Sequence, residues 1–224
     1  MSRHAFSFGQ HYDAERLSFG PIVCHDDHLL GRGAGFSEHE HRDLNIVTWV
    51  AQGALVHTGD DGEPVVLPAG TAAVLRTGEG VRHAEIASDD GPCRFVQVWL
   101  APRPDAADAA DAADAAGAEV SYAHAAIAAE AGSGLVPVAS SVDDAPLGLG
   151  VPGARLGLAR LGAHERLLLP AAARVHAYLV SGALLRSSLA EPLAAGDAFL
   201  LVDEPAHEVV AAVPTELLVW SFEA

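Results

Sequence analysis

The feature that most constrains this 224-residue chain is a rhythm of short β-rich runs that occurs twice, on either side of an Asp-Ala-Ala repeat. Before the repeat, Leu44 to Val50, Ala54 to His57, Val65 to Leu67, Ala72 to Leu75 and Arg94 to Leu100 are apolar and rich in β-branched residues. Gly53, Gly59, Gly62, Pro68-Ala69-Gly70, Gly78, Gly80 and Gly91-Pro92 punctuate them. Runs this short between regular turn signals fold as the strands of a sandwich or barrel. After the repeat the rhythm returns in Arg155 to Leu161, Glu165 to Leu169, Arg174 to Val180, Ala198 to Val202, Glu208 to Val213 and Glu216 to Phe222. Val50-Ala-Gln-Gly-Ala-Leu55 is echoed by Leu179-Val-Ser-Gly-Ala-Leu184, and Leu67-Pro-Ala-Gly70 by Leu193-Ala-Ala-Gly196. The same order of strand, Gly turn, strand and Ala-Gly turn predicts an all-β chain built from two similar domains.

The expected division is a metal-binding domain over 1–103, an Ala/Asp-rich linker over 104–134 and a second domain over 135–224. Asp105 to Gly117 offers no large apolar residue to dock, so a solvated linker is expected there. Asp and Glu number 30 against 13 Lys and Arg, a formal charge of −17. That balance opposes binding to nucleic acid, whose phosphates need clustered cations, and to an anionic membrane surface. The N-terminal residues lack the apolar stretch of a secretory signal, and no uncharged apolar run is long enough to span a bilayer. With only Cys24 and Cys93, the expectation is a cytoplasmic protein with two buried, inert thiols.

Chemistry concentrates in Gly35-Phe-Ser-Glu-His-Glu-His41. On a strand, residues i and i+2 share a face, so His39 and His41 project side by side. His83-Ala84-Glu85 repeats that spacing with one imidazole and one carboxylate. If the two strands face each other, His39, His41, His83 and Glu85 give three nitrogens and one oxygen. Such a set suits one divalent transition metal: Fe, Mn, Ni, Cu, Zn or Co. Four protein ligands on an octahedral ion leave open positions for substrate or O₂.

These residues resemble the pirin family. The resemblance is carried by His4-Ala-Phe-Ser-Phe8, Tyr12-Asp13, Phe19-Gly-Pro21, Asp26-Asp27, Gly33 to His41, Ile46-Val-Thr-Trp-Val50, Pro68-Ala-Gly70, Gly78 to Glu85 and Gln97-Val-Trp99. It runs through most of residues 4–103 and continues more weakly from Tyr122 to the end. It implies a bicupin, two consecutive β-barrel (cupin, or jelly-roll) domains, the second degenerate. It places one metal, Fe(II) first, on His39, His41, His83 and Glu85. It further implies a dioxygenase that opens a flavonol such as quercetin with O₂ and releases carbon monoxide; a monomer is expected. Glu85 would then also take the proton of the substrate's 3-hydroxyl. Two positions depart from the family pattern: Glu40 replaces a Pro, and Asn45 stands where the family has a Glu. Relatives also carry further residues ahead of His4.

The alternative reading is a non-enzymatic metal-dependent regulator or redox sensor acting through a protein partner. A bicupin whose activity has decayed is a third, opposed by the intact ligand set. Elsewhere, His57 is expected to end a strand, with partial exposure favoured over a place behind the site. His25 and His28 are read as flanking a hydrated Asp26-Asp27 loop, and Trp49 and Trp99 as core. His164, His176 and His207 lack the paired spacing. Gln97, polar inside an apolar run, requires a buried partner.

Overall fold

The computed structural model of the chain describes residues 1–6, 17–101 and 119–223. It divides into two compact units, Met1–Ile127 and Ala128–Ala224. Every regular element among the described residues is a strand, so the all-β expectation holds. The Asp-Ala-Ala repeat lies outside the described residues.

The first unit carries β1 (Ser2–His4), β2 (Ile22–Leu30), β3 (Gly35–His41), β4 (Asn45–Gln52), β5 (Ala54–Thr58), β6 (Pro64–Pro68), β7 (Thr71–Arg76), β8 (Val81–Ala87), β9 (Cys93–Leu100) and β10 (Ser121–Ala126). They form a six-stranded sheet, β1-β2-β9-β4-β7-β10, and a four-stranded sheet, β3-β8-β5-β6. Leu55, Leu67 and Ala87 of the smaller sheet pack on Val50, Ala73, Cys93 and Phe95 of the larger. Each such large side chain contributes roughly 1.5–3 kcal/mol on leaving water, and the pairing leaves the rest of the inner face for polar groups.

The second unit carries β11 (Val136–Ser140), β12 (Leu147–Gly148), β13 (Ala154–Leu161), β14 (Arg166–Leu169), β15 (Arg174–Ser181), β16 (Ala183–Leu184), β17 (Leu193–Ala194), β18 (Ala198–Val202), β19 (His207–Val210) and β20 (Thr215–Phe222). A six-stranded sheet, β12-β11-β13-β20-β15-β18, is accompanied by the pairs β14–β19 and β16–β17. Leu167, Leu169 and Val209 close over Ala177, Leu179, Leu217 and Val219.

The echo seen in the sequence has a structural counterpart. Gly53 turns β4 into β5 at φ 72°, and Gly182 turns β15 into β16 at φ 83°. A Cβ at Gly53 would lie 2.2 Å from the Pro92 carbonyl oxygen, and one at Gly182 would lie 2.4 Å from that of Pro214. Left-handed backbone and close approach both demand glycine.

The expected linker, 104–134, is corrected in part. Ser121–Ala126 inside it forms β10, paired antiparallel with β7 from Ser121↔Arg76 to Ala126↔Thr71. Its alanines carry no strand signal, and the edge position is held by backbone hydrogen bonds together with one inserted ring, Tyr122.

Candidate metal centre

The smaller sheet of the first unit builds the site. Its middle strand β8 alternates, with Val81, His83, Glu85 and Ala87 buried and the residues between them more exposed. On one side β3 places His39 opposite His83. The register slips between Phe36 and His39, a bulge that sets Phe36 opposite Glu85. Gly35 permits this approach, because a Cβ there would stand 2.1 Å from the Glu85 carbonyl oxygen. On the other side β5 places His57 opposite Glu85.

The result is a compact imidazole cluster. One ring nitrogen from each of His39, His41 and His83 lies within 4.8 Å of the other two. The ring centroids are 4.8 Å apart for His39–His41, 4.4 Å for His39–His83 and 5.3 Å for His41–His83. Two nitrogens bound at about 2.1 Å to one ion lie at most about 4.2 Å apart, so small side-chain rotations close the set. Two further observations fit a cation. His83 Nε2 is buried without a hydrogen-bond partner. His39 Nδ1 donates to the Ser37 carbonyl oxygen at 2.8 Å, which leaves His39 Nε2 with its lone pair. Burial, with His39 beside it, pushes His41 down to about 4. Burial and its three imidazole neighbours push His83 down to about 3. Both are therefore neutral near pH 7, the form a metal needs.

Glu85 stands beside the triad rather than in its tight nitrogen group. Its Oε1 accepts from Gln97 Nε2 at 2.8 Å, and Gln97 Oε1 accepts from Trp99 Nε1 at 2.9 Å. Burial raises the Glu85 carboxyl above its ordinary value, against the opposing pull of Gln97 and His39. A cavity of about 660 Å³ opens over His39, His41 and Glu85, with Phe36 and Trp99 in its wall. Glu40, between the two β3 histidines, pairs with Arg42 at the surface. Asn45 is buried at the head of β4 and does not line the cavity.

Several side chains fall elsewhere than the sequence suggested. Trp99 is only partly buried; it packs against the core cluster of Ile46, Leu75 and Val81 and also sits 4.6 Å from the His41 ring, in the wall of the cavity. His57 is 4 % exposed, and its Nε2 meets His83 Nδ1 at 3.2 Å. His25, Asp26, Asp27 and His28 are consecutive buried residues of β2, not a hydrated loop. They stay buried because Asp27 takes two hydrogen bonds from Arg94, at 2.9 and 2.5 Å, and Asp26 meets His4 at 2.8 Å. Asp26, His28 and His4 line the far wall of the same cavity. Nothing in a run of four polar residues signals partners from 22 and 67 positions away. Cys24 and Cys93 are buried free thiols. Burial, with Glu85 nearby, raises Cys93 to about 11.

Comparison with known proteins extends this picture. A family model described as Pirin matches residues 1–100. A Mycobacterium tuberculosis protein named "Putative quercetin 2,3-dioxygenase" is 37% identical over 226 residues, spanning 100% of this chain and 88% of its own length. The Escherichia coli K12 protein named "Quercetin 2,3-dioxygenase" is 32% identical over 102 residues, 45% of this chain and 44% of its own. Among solved structures, a bacterial pirin from Escherichia coli in complex with nickel(II) matches with a TM-score of 0.83 and 25% identity, covering 100% of this chain and 92% of that one.

Proposed function

The chain belongs to the pirin family, and from that premise we propose that it is a metal-dependent dioxygenase that cleaves a flavonol of the quercetin type with O₂. The observation that carries the reading is the triad of His39, His41 and His83, two of whose rings, His39 and His41, line with Glu85 a cavity of about 660 Å³, which lies in the size range of small-molecule sites. The names of two relatives supply the substrate class.

In this reading His39, His41 and His83 hold one divalent transition metal, Fe(II) first, with Glu85 as the fourth ligand. When bound, the metal would supply Lewis acidity toward a substrate oxygen and leave positions for small molecules. The chain's own groups do the rest. Phe36 and Trp99 give the cavity flat aromatic walls that suit a planar ring system. Glu85 lines the same cavity and takes the proton of the flavonol 3-hydroxyl on a carboxylate oxygen, while Gln97 Nε2 keeps that carboxylate oriented. The polar far wall of His4, Asp26 and His28 meets the hydroxylated edge of the substrate. The protein acts as a cytoplasmic monomer with no nucleic-acid or membrane partner.

The test is anaerobic mixing of metal-loaded protein with quercetin, followed by admission of O₂. Loss of the flavonol absorption band that depends on both metal and protein supports the reading. Failure of every tested flavonol to bleach with fully loaded protein refutes the substrate class. It would leave metal-dependent regulation through a protein partner as the reading to pursue.

A further inference from the structure

Behind the triad, on the side away from the large cavity, the rings of His83, His57 and Tyr122 follow one another in depth, the first pair tilted by 45° and the second stacked. His57 Nε2 lies 3.2 Å from His83 Nδ1. The other face of the contact is Tyr122, whose ring lies parallel to that of His57 at 4.1 Å and 7°. All of this is walled off: the pocket bounded by His57, His83, Glu85 and Tyr122 holds only about 10 Å³, too little for any substrate. This wall supports the site and does not receive a reactant.

Two nitrogens 3.2 Å apart in a dry site cannot both present lone pairs, so one hydrogen lies between them. If it belonged to His57, the proton of neutral His83 would sit on Nε2, the buried and unpartnered nitrogen that faces the triad, and would block ligation. If it belongs to His83 Nδ1, His83 Nε2 carries a lone pair toward the ion, and His57 must be an acceptor through Nε2 with its own proton on Nδ1. His57 Nδ1, like His83 Nε2, is buried without a hydrogen-bond partner, so the contact between the two rings is the one hydrogen bond that can set both tautomers. His39 is fixed in the equivalent tautomer by the Ser37 carbonyl oxygen, but β8 offers His83 no such backbone acceptor.

We propose that His57 is a positioning residue that fixes the tautomer and ring orientation of His83 for metal binding, with Tyr122 of β10 holding the His57 ring flat. The inference rests on metal binding by the triad and is independent of what substrate is turned over. It gives β10, the strand that follows the Asp-Ala-Ala repeat, a part in the site: the edge strand buttresses the buttress.

The test is affinity for nickel(II), measured on the full chain by competition with a chelator. His57→Phe keeps a ring against Tyr122 but removes the acceptor, and should weaken binding 10- to 100-fold, the usual cost of losing such a partner. His57→Gln, whose amide oxygen can reach the place of Nε2, should bind within a few-fold of wild type. Tyr122→Phe should match wild type, since the Tyr122 hydroxyl is buried without a partner. Wild-type affinity in His57→Phe overturns the proposal, as does a His57→Gln as weak as His57→Phe. A second readout uses unaltered protein: ¹⁵N NMR of the metal-free imidazoles should find His83 protonated on Nδ1. Protonation on Nε2 overturns the proposal even if a variant fails to fold. If wild type bound no metal, the triad reading would fall, and the His83 tautomer would still decide the part of His57.

Discussion

Trp99 Nε1 donates to Gln97 Oε1 at 2.9 Å, and this contact fixes which way the Gln97 amide faces. An indole nitrogen can only donate, so the amide oxygen must turn toward Trp99 and the amide nitrogen toward Glu85. The 2.8 Å contact from Gln97 Nε2 to Glu85 follows from that orientation. Replacing Gln97 by Leu therefore removes the donor that the buried Glu85 carboxylate accepts from, together with the acceptor of the Trp99 N–H. The expected cost is about 1–3 kcal/mol of stability in the metal-free protein, read as a shifted denaturant midpoint. A Q97L protein as stable as wild type would show that Gln97 does not hold Glu85.

Gly35 tests how the bulge is built. A Cβ at this position would collide with the backbone oxygen of Glu85 at 2.1 Å and with Ile86 Cα at 2.7 Å. Gly35→Ala should destabilise by about 2 kcal/mol or more, since backbone cannot step aside as a side chain can. Gly31, with nothing within 4 Å of its would-be Cβ, is the control: Gly31→Ala should leave the melting temperature nearly unchanged. Equal effects at the two positions would mean that the close strand approach is not what requires Gly35.

Much of this was legible in the residues, because strand geometry is a period of two. His39-x-His41 and His83-x-Glu85 each had to project two groups to one face, and the structure lays β3 beside β8 with His39 opposite His83. The duplicated rhythm of runs and glycines likewise gave two β units, with Gly53 and Gly182 in matching turns. What lay beyond reading was pairing across distance. His57 looked like a strand end until β5 was placed against β8, and Asp26 looked like loop until β1 supplied His4. Tyr122 sat in an alanine-rich stretch whose composition says linker, yet β7 recruits it as an edge strand. In each case the burial of a polar group depends on a partner that sequence spacing does not name.

Acid should loosen the metal-free protein through its buried histidines. Burial pushes His25 down to about 4, against the opposing pull of Asp26 and Asp27, whereas an unfolded chain's histidine titrates near 6.5. Between those values the unfolded chain binds a proton that the folded chain refuses, so stability rises with pH and falls as pH drops. His41, His57 and His83 are shifted in the same direction. The urea midpoint of metal-free protein should fall steadily from about pH 7 to about pH 5. A midpoint that is flat or rises across that window would contradict neutral burial of these rings.

His41→Ala removes one of the three converging nitrogens and leaves a site of two imidazoles and a carboxylate. Metal recovered with the purified protein should drop from about one ion per chain to a small fraction of that, measured by inductively coupled plasma mass spectrometry. The His41 ring packs on Trp99 at the cavity edge rather than in the core, so the fold should survive, as near-UV circular dichroism would report. Full metal content in His41→Ala would place the ion elsewhere.

The central claim joins metal occupancy to oxygen chemistry, and one titration tests it. Chelator-stripped protein is supplied with quercetin under air, Fe(II) is added in steps, and O₂ consumption is followed with an electrode. The account predicts that uptake rises with bound metal, levels off at one ion per chain and is absent in His41→Ala. Full occupancy of the triad with no uptake of O₂ above the metal-only background would contradict it.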